Sequence, residues 1–84
     1  MARLLYLGRF ADIAGVREEN ADLPASASTL AGLKIWMDTR NPALSAAFAQ
    51  AHARVAINQE IIRRADHPVR NSDEIAFLPP MSGG

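Results

Sequence analysis

The last six residues, Pro79-Pro80-Met81-Ser82-Gly83-Gly84, gather residue types that suit chemistry at a chain end. Two prolines favour an extended, polyproline-type exit and cannot donate ladder hydrogen bonds, so they peel the segment away from any sheet before them. Beyond them the residues taper from Met81 through Ser82 to Gly83 and Gly84, and at about 3.3 Å each the six reach up to roughly 20 Å. Such a flexible tail fits a narrow active site. Its reactive group is the α-carboxylate of Gly84, ionised at neutral pH because its pKa lies at about 3.3–3.7. A carboxylate is inert until activated. Attack of its oxygen on the α-phosphate of ATP gives an acyl-adenylate, a mixed anhydride open to an amine or to sulfur, and glycine leaves the carbonyl carbon unobstructed. No phosphate-binding loop for that step occurs in this chain, so a separate activating enzyme must use the ATP and the chain is not catalytic alone. Two terminal glycines arise by chance in about 0.5% of chains. The weight of the pattern comes from the Pro-Pro, the taper and the apolar strand that precedes them.

Other constellations offer less. His52 and His67 lack metal-type spacing and there is no cysteine, which argues against a zinc site, a thiolate nucleophile and a disulfide framework. Asp73-Glu74 could suggest paired carboxylates, but adjacent strand residues point to opposite faces, so a hairpin end is the better reading. Arg63-Arg64 reads as a solvated strand end, with acidic-partner contact as the alternative. Trp36 and Met37, on a helical stripe, read as core.

The elements that would hold the tail follow from periodicity. Met1–Gly8 is a short apolar run ended by glycine, a buried strand whose one charge is Arg3. Phe10, Ile13 and Ala14 sit at helical spacing before Gly15, which predicts a short helix with a glycine stop. Val16–Leu23, with Arg17, Glu18, Glu19 and Asp22, reads as a charged edge strand. After a loop at Pro24 and Ala25–Ser28, Thr29 is placed to cap a helix whose Leu30, Leu33, Trp36 and Met37 share a face, weakened locally by Gly32. Asn41-Pro42 ends that helix and starts another, along which Leu44, Ala47, Phe48 and Ala51 keep the period.

From Ala53 the period becomes two. Val55 and Ile57 alternate with Arg54, Ala56 and Asn58; Asn58-Gln59 is a turn, and Glu60–Arg64 a return strand. Asp66-His67-Pro68 and Asn71-Ser72-Asp73 are further turns, and Glu74–Leu78 a last strand apolar on both faces. The order describes an α+β domain, a sheet on a central helix, spanning 1–78 with the tail at 79–84. A helix covers one face of a sheet, yet Leu4–Leu7 and Ile75–Leu78 are apolar on both. The second face is therefore covered either by another protein or by the second helix or a loop.

Composition limits the function classes. Eighty-four residues make one domain, and 49% hydrophobic with 21% charged residues is ordinary for a soluble globule. Sixteen alanines and only five aromatic residues make a small core, so stability is modest or shared with a partner. A formal net charge of zero, with signs interspersed, argues against nucleic-acid binding. The apolar run at Leu4–Leu7 is far short of a membrane span or a signal core, which with the absence of cysteine suits the cytoplasm.

These residues resemble a known family, the small sulfur-carrier subunits of molybdopterin synthase, of ubiquitin-like β-grasp fold. Leu5-Tyr6-Leu7-Gly8 through Asp12-Ile13-Ala14-Gly15 is similar to that family's first strand and helix, and Val55-Ala56-Ile57-Asn58-Gln59 to its hairpin. The most specific part is Asp66-His67-Pro68, then Asp73-Glu74-Ile75-Ala76-Phe77-Leu78-Pro79-Pro80, then Ser82-Gly83-Gly84. The resemblance implies a mixed sheet on a central helix, and activation of Gly84 by an adenylating enzyme related to ubiquitin-activating (E1) enzymes. A persulfide donor would turn the carboxylate into a thiocarboxylate. The tail, through Pro79, Pro80, Met81, Ser82 and Gly83, would then enter the large synthase subunit and give sulfur to cyclic pyranopterin monophosphate, two transfers making the dithiolene. Two small and two large subunits form the family's assembly, and the sheet face carrying Phe77 would be the contact surface. Ala11-Asp12 stands where the family often has Arg-Glu, and Ser72 where a glycine is common. The thiamine-pathway carriers and the ubiquitin-like modifiers, which link through the same terminal glycine to a lysine, are the alternatives. A plain binding module with a disordered tail is a third.

Overall fold

The computed structural model describes residues 1–50 and 52–80. Five strands form one mixed sheet: β1 (Ala2–Tyr6), β2 (Glu18–Ala21), β3 (Arg54–Ile57), β4 (Glu60–Ile62) and β5 (Glu74–Leu78), in the order β2-β1-β5-β3-β4. β1 and β5 run parallel at the centre, and all other neighbours are antiparallel. Three helices, α1 (Arg9–Ala14), α2 (Leu30–Arg40) and α3 (Pro42–Gln50), complete the α+β domain.

Local chemistry sets the element ends. Gly15 adopts the left-handed conformation at φ 82° and its N–H returns to the Ala11 carbonyl, stopping α1. The Thr29 hydroxyl accepts from the Gly32 N–H at 3.1 Å and caps α2, while Asn41 Oδ1 accepts from the Leu44 N–H at 3.1 Å to start α3. Asn58 and Gln59, at φ 52° and 70°, make the two-residue turn whose twist suits a hairpin. That turn is tied to β5: Asn58 Nδ2 donates to the buried Asp73 carboxylate at 3.0 Å, and Glu74 N–H donates to Asn58 Oδ1 at 3.0 Å. Asp73 also accepts from the Arg70 N–H, and Glu74 is paired with Arg3, so the two acidic side chains brace a hairpin end.

The expected elements need trimming. The edge strand β2 covers only four residues within Val16–Leu23, and β4 stops at Ile62, leaving Arg63 and Arg64 beyond it. The Ala/Ser loop contains a single 3-10 turn over Ala25–Ala27. Gly32 is more than a weak helical position. A Cβ there would lie 2.2 Å from the Ser26 carbonyl oxygen, so glycine lets α2 pack against that turn. Ala51 lies outside the described residues.

The core lies on one side of the sheet. Leu4, Tyr6, Ile75, Phe77, Val55 and Ile57 meet Leu30, Leu33 and Met37 of α2, Leu44 and Phe48 of α3, and Phe10 of α1. Phe77 stacks on Tyr6 with ring centroids 5.4 Å apart and receives Phe48 edge-on at 5.8 Å. Trp36 is half-buried and carries the Arg40 guanidinium 5.1 Å above its ring, so it closes the rim of the core.

Candidate functional site at the root of the C-terminal tail

All three helices pack on the Phe77 side, and among the described residues no helix lies over the opposite face. Pairing places Leu5, Ala76, Ala56 and Ile61 in one row across that face, with Leu78 and Arg54 in the next. Leu7 follows β1 and extends its pairing, its N–H donating to the Phe77 carbonyl at 3.2 Å. Small side chains lie in the middle and larger ones at the rim, where Leu7 is 42% and Ile61 39% exposed. The result is an open groove of about 530 Å³ lined by Leu7, Gly8, Arg54, Ile61, Leu78, Pro79 and Pro80.

This geometry corrects one expectation. Phe77 is 1% exposed and its ring is spent on Tyr6 and Phe48, so its face is the core face and not a contact surface. The strand alternates, and the half-buried Leu78 lies on the other side with the exposed Leu7. Pro79 is half-buried and Pro80 exposed at the groove's end. The sequence-predicted Met81, Ser82, Gly83 and Gly84 lie outside the described residues.

Gly8 shapes the tail root from the other side. Its φ of 57° and ψ of −134° belong to glycine's repertoire, and a Cβ there would stand 3.1 Å from Pro79 Cγ. Periodicity marked Leu7 and Leu78 as apolar. It gave no sign that Gly8, Arg54 and Ile61 would join them, because those residues come together only through the β1–β5–β3–β4 pairing.

Electrostatics divide the open face. At the end remote from the tail, Arg3 pairs with Glu18 at 2.8 Å and with Glu74 at 3.5 Å, and the Arg3 hydrogen bond and charge hold the Glu18 carboxyl below its usual range. On the core side, the Tyr6 hydroxyl donates to Glu19 at 3.2 Å, and Glu19 is also paired with Arg40. Burial first, and then the Glu19 charge, push the Tyr6 phenol up to about 12.

Neither histidine meets a ligand set. The backbone carbonyl of His67 accepts from the Leu30 N–H at the start of α2, and His52 follows α3. Among the described residues no group of three or more His, Asp or Glu side chains is placed to hold a metal ion. No described helix is long and apolar enough to cross a membrane.

Comparison with known proteins places this architecture. A family model described as the ThiS family matches residues 4–84. The molybdopterin synthase sulfur carrier subunit of Homo sapiens is 34% identical over 85 residues, covering 96% of this chain and 91% of that protein. The protein of the same name from Escherichia coli (strain K12) is 29% identical over 86 residues and covers all of both chains. Among solved structures, SAMP1 of Haloferax volcanii superposes with a TM-score of 0.74 at 23% identity, covering 99% of this chain and 98% of its own. The small archaeal modifier protein 1 of Methanosarcina acetivorans gives 0.73 at 23% identity, covering 99% and 95%. The fold is the ubiquitin-like β-grasp, and the chain belongs to the ThiS family.

Proposed function

We propose that this chain is the sulfur-carrier subunit of a molybdopterin synthase, with Gly84 as the carrier residue. The observation that carries this reading is the course of β5. This central strand runs into Pro79-Pro80 at the end of an uncovered apolar groove, so a docked partner would receive the tail directly. The curated relatives named above, aligned over nearly the whole chain, support the same reading.

The chemistry balances in three steps. A carboxylate oxygen of Gly84 attacks the α-phosphate of ATP on an E1-like adenylating enzyme, releasing pyrophosphate and leaving an acyl-adenylate. The terminal sulfur of a persulfide donor attacks the carbonyl carbon, AMP departs, and a thiol reduces the resulting acyl disulfide to the thiocarboxylate. In the large synthase subunit that sulfur bonds to a side-chain carbon of cyclic pyranopterin monophosphate, which gives up its oxygen; water then cleaves the acyl–sulfur bond and restores the Gly84 carboxylate, and a second loaded carrier repeats the transfer to complete the dithiolene. The described part of this chain contributes docking and placement of the tail; activation belongs to its partners. We assign the reaction to the cytoplasm.

Intact mass after incubation with the adenylating enzyme, ATP and a persulfide donor tests this. The expected result is an exchange of oxygen for sulfur, located at Gly84 by fragmentation because oxidation of Met1, Met37 or Met81 adds nearly the same mass. An unmodified Gly84, with the partners active on another carrier, overturns it. The structural likeness to small archaeal modifier proteins favours a second reading, a modifier joined through Gly84 to a lysine of a target. Protein adducts formed through Gly84, without transfer of sulfur to the pterin, would establish that instead.

A further inference from the structure

The open face is apolar in its middle and charged at both ends, and the two ends differ. Remote from the tail, the cation is matched within the chain: Arg3 has Glu18 and Glu74. Beside the tail root, Arg54 lines the groove with Leu78, Pro79 and Pro80. Arg63 is the first residue beyond β4, next to Ile62, which pairs with Val55, so it leaves the hairpin at the end where Arg54 enters it, and it lines a shallow hollow that shares Ile61 with the groove. Both arginines are exposed, and among the described residues neither makes an ion pair.

Two carboxylates of this face and edge are committed elsewhere, and Glu60, paired with the core residue Ile57, falls on the opposite side of β4 from the groove. Glu74, on the same face, is held by Arg3, and Asp66, at the same edge, pairs with Arg64 at 3.0 Å. Like charges gathered at one end of a hairpin repel. A chain with no net charge has carboxylates enough to offset this pair, yet leaves it unmatched at the rim of an apolar groove. Guanidinium groups bind carboxylates through two parallel hydrogen bonds, which fixes direction as well as sign.

We propose that the partner docking on this face presents carboxylate side chains to Arg54 and Arg63, beside an aliphatic side chain seated in the groove between Leu7, Ile61 and Leu78. The aliphatic contact supplies area. The arginines select one partner among proteins able to make that contact, because a cation opposite them is repelled and a neutral group leaves them unmatched. This rests on the sulfur-carrier reading, which makes the partner the large subunit of molybdopterin synthase.

The test is titration calorimetry of the full chain against the large subunit from the same organism, at low and at high salt. The variants are Arg54→Gln with Arg63→Gln, and Arg54→Glu with Arg63→Glu. The expected result is binding about tenfold weaker for the glutamine pair and about a hundredfold weaker for the glutamate pair. The salt dependence seen with the unaltered chain flattens in the glutamine pair. Circular dichroism checks that each variant is folded; if the glutamate pair is not, the glutamine pair decides. Unchanged affinity and unchanged salt dependence in the folded glutamine pair overturn the proposal and leave the carrier reading standing. An unaltered chain that fails to bind the large subunit overturns both.

Discussion

One pleat of β5 separates two solvents. Ile75 and Phe77 face the helices, whereas Ala76 and Leu78 face away: Ala76 is small and shielded by its neighbours, and Leu78 lines a shallow groove with Leu7 and Ile61 at its rim. Both sides are apolar, so hydrophobicity alone does not tell the core side from the open one. Size does. The core side carries two of the aromatic rings that fill the space under the helices, Tyr6 and Phe77. The open side has Ala56 and Ala76 at its centre and larger chains around them, which leaves a concavity rather than a packed layer.

The sharpest way to break this contrast is Phe77→Ala. The ring is 1% exposed and packed against Tyr6 and Phe48, so its loss should cost about 3–5 kcal/mol. Small domains hold about 5–15 kcal/mol in total, and this one should approach unfolding. Urea denaturation measures it. A midpoint within error of the unaltered chain would mean that Phe77 is not the core residue described.

A second test of the core side uses pH. Tyr6 is buried, and its phenol is pushed up to about 12 from an ordinary value of 10. Below pH 10 the phenol is neutral in both states and its contribution to stability is intact. Between 10 and 12 the unfolded chain gives up the proton while the folded chain retains it, so stability falls as pH rises. Each pH step between those two values is worth about 1.4 kcal/mol, so the loss should reach at most about 3 kcal/mol at the top of that window. Comparing alkaline unfolding of the chain with that of Tyr6→Phe isolates the effect: the variant should lose less stability over the same range. Parallel curves would sink this account.

Most of the fold was legible because it rests on local signals. The Gly15 stop, the Thr29 cap, the Asn41-Pro42 break and the Asn58-Gln59 turn each act within a few residues, and each stands where the sequence predicts. Assigning Phe77 to the contact surface failed for a different reason. Period two says that Phe77 and Leu78 point opposite ways, but only the placement of the helices says which way is inward. Arg54 and Ile61 were legible as strand residues and not as neighbours of Pro79, because that proximity depends on β5 lying between β1 and β3. Gly32 read as a weak point of α2, when its role is set by the Ser26 carbonyl, which the chain brings against it by turning at Ala25–Ala27.

The smallest effect on stability, and the one that most sharpens the contrast, is expected from Leu7→Ser. Leu7 is 42% exposed, follows the end of β1, and uses its backbone rather than its side chain to hold the Phe77 carbonyl. Serine keeps that N–H, so the change should cost no more than about 1 kcal/mol of folding stability. The same substitution removes one wall of the groove and puts a hydroxyl where a docked aliphatic group would need a dry contact. Affinity for the large synthase subunit should fall by about tenfold, a loss comparable to that of other partly buried apolar anchors at an interface. Phe77→Ala damages the fold and takes binding down with it; Leu7→Ser should separate the two. Equal loss of stability and binding in Leu7→Ser would make Leu7 part of the core and erase the distinction between the faces. Full stability with full binding would move the docking surface away from this groove.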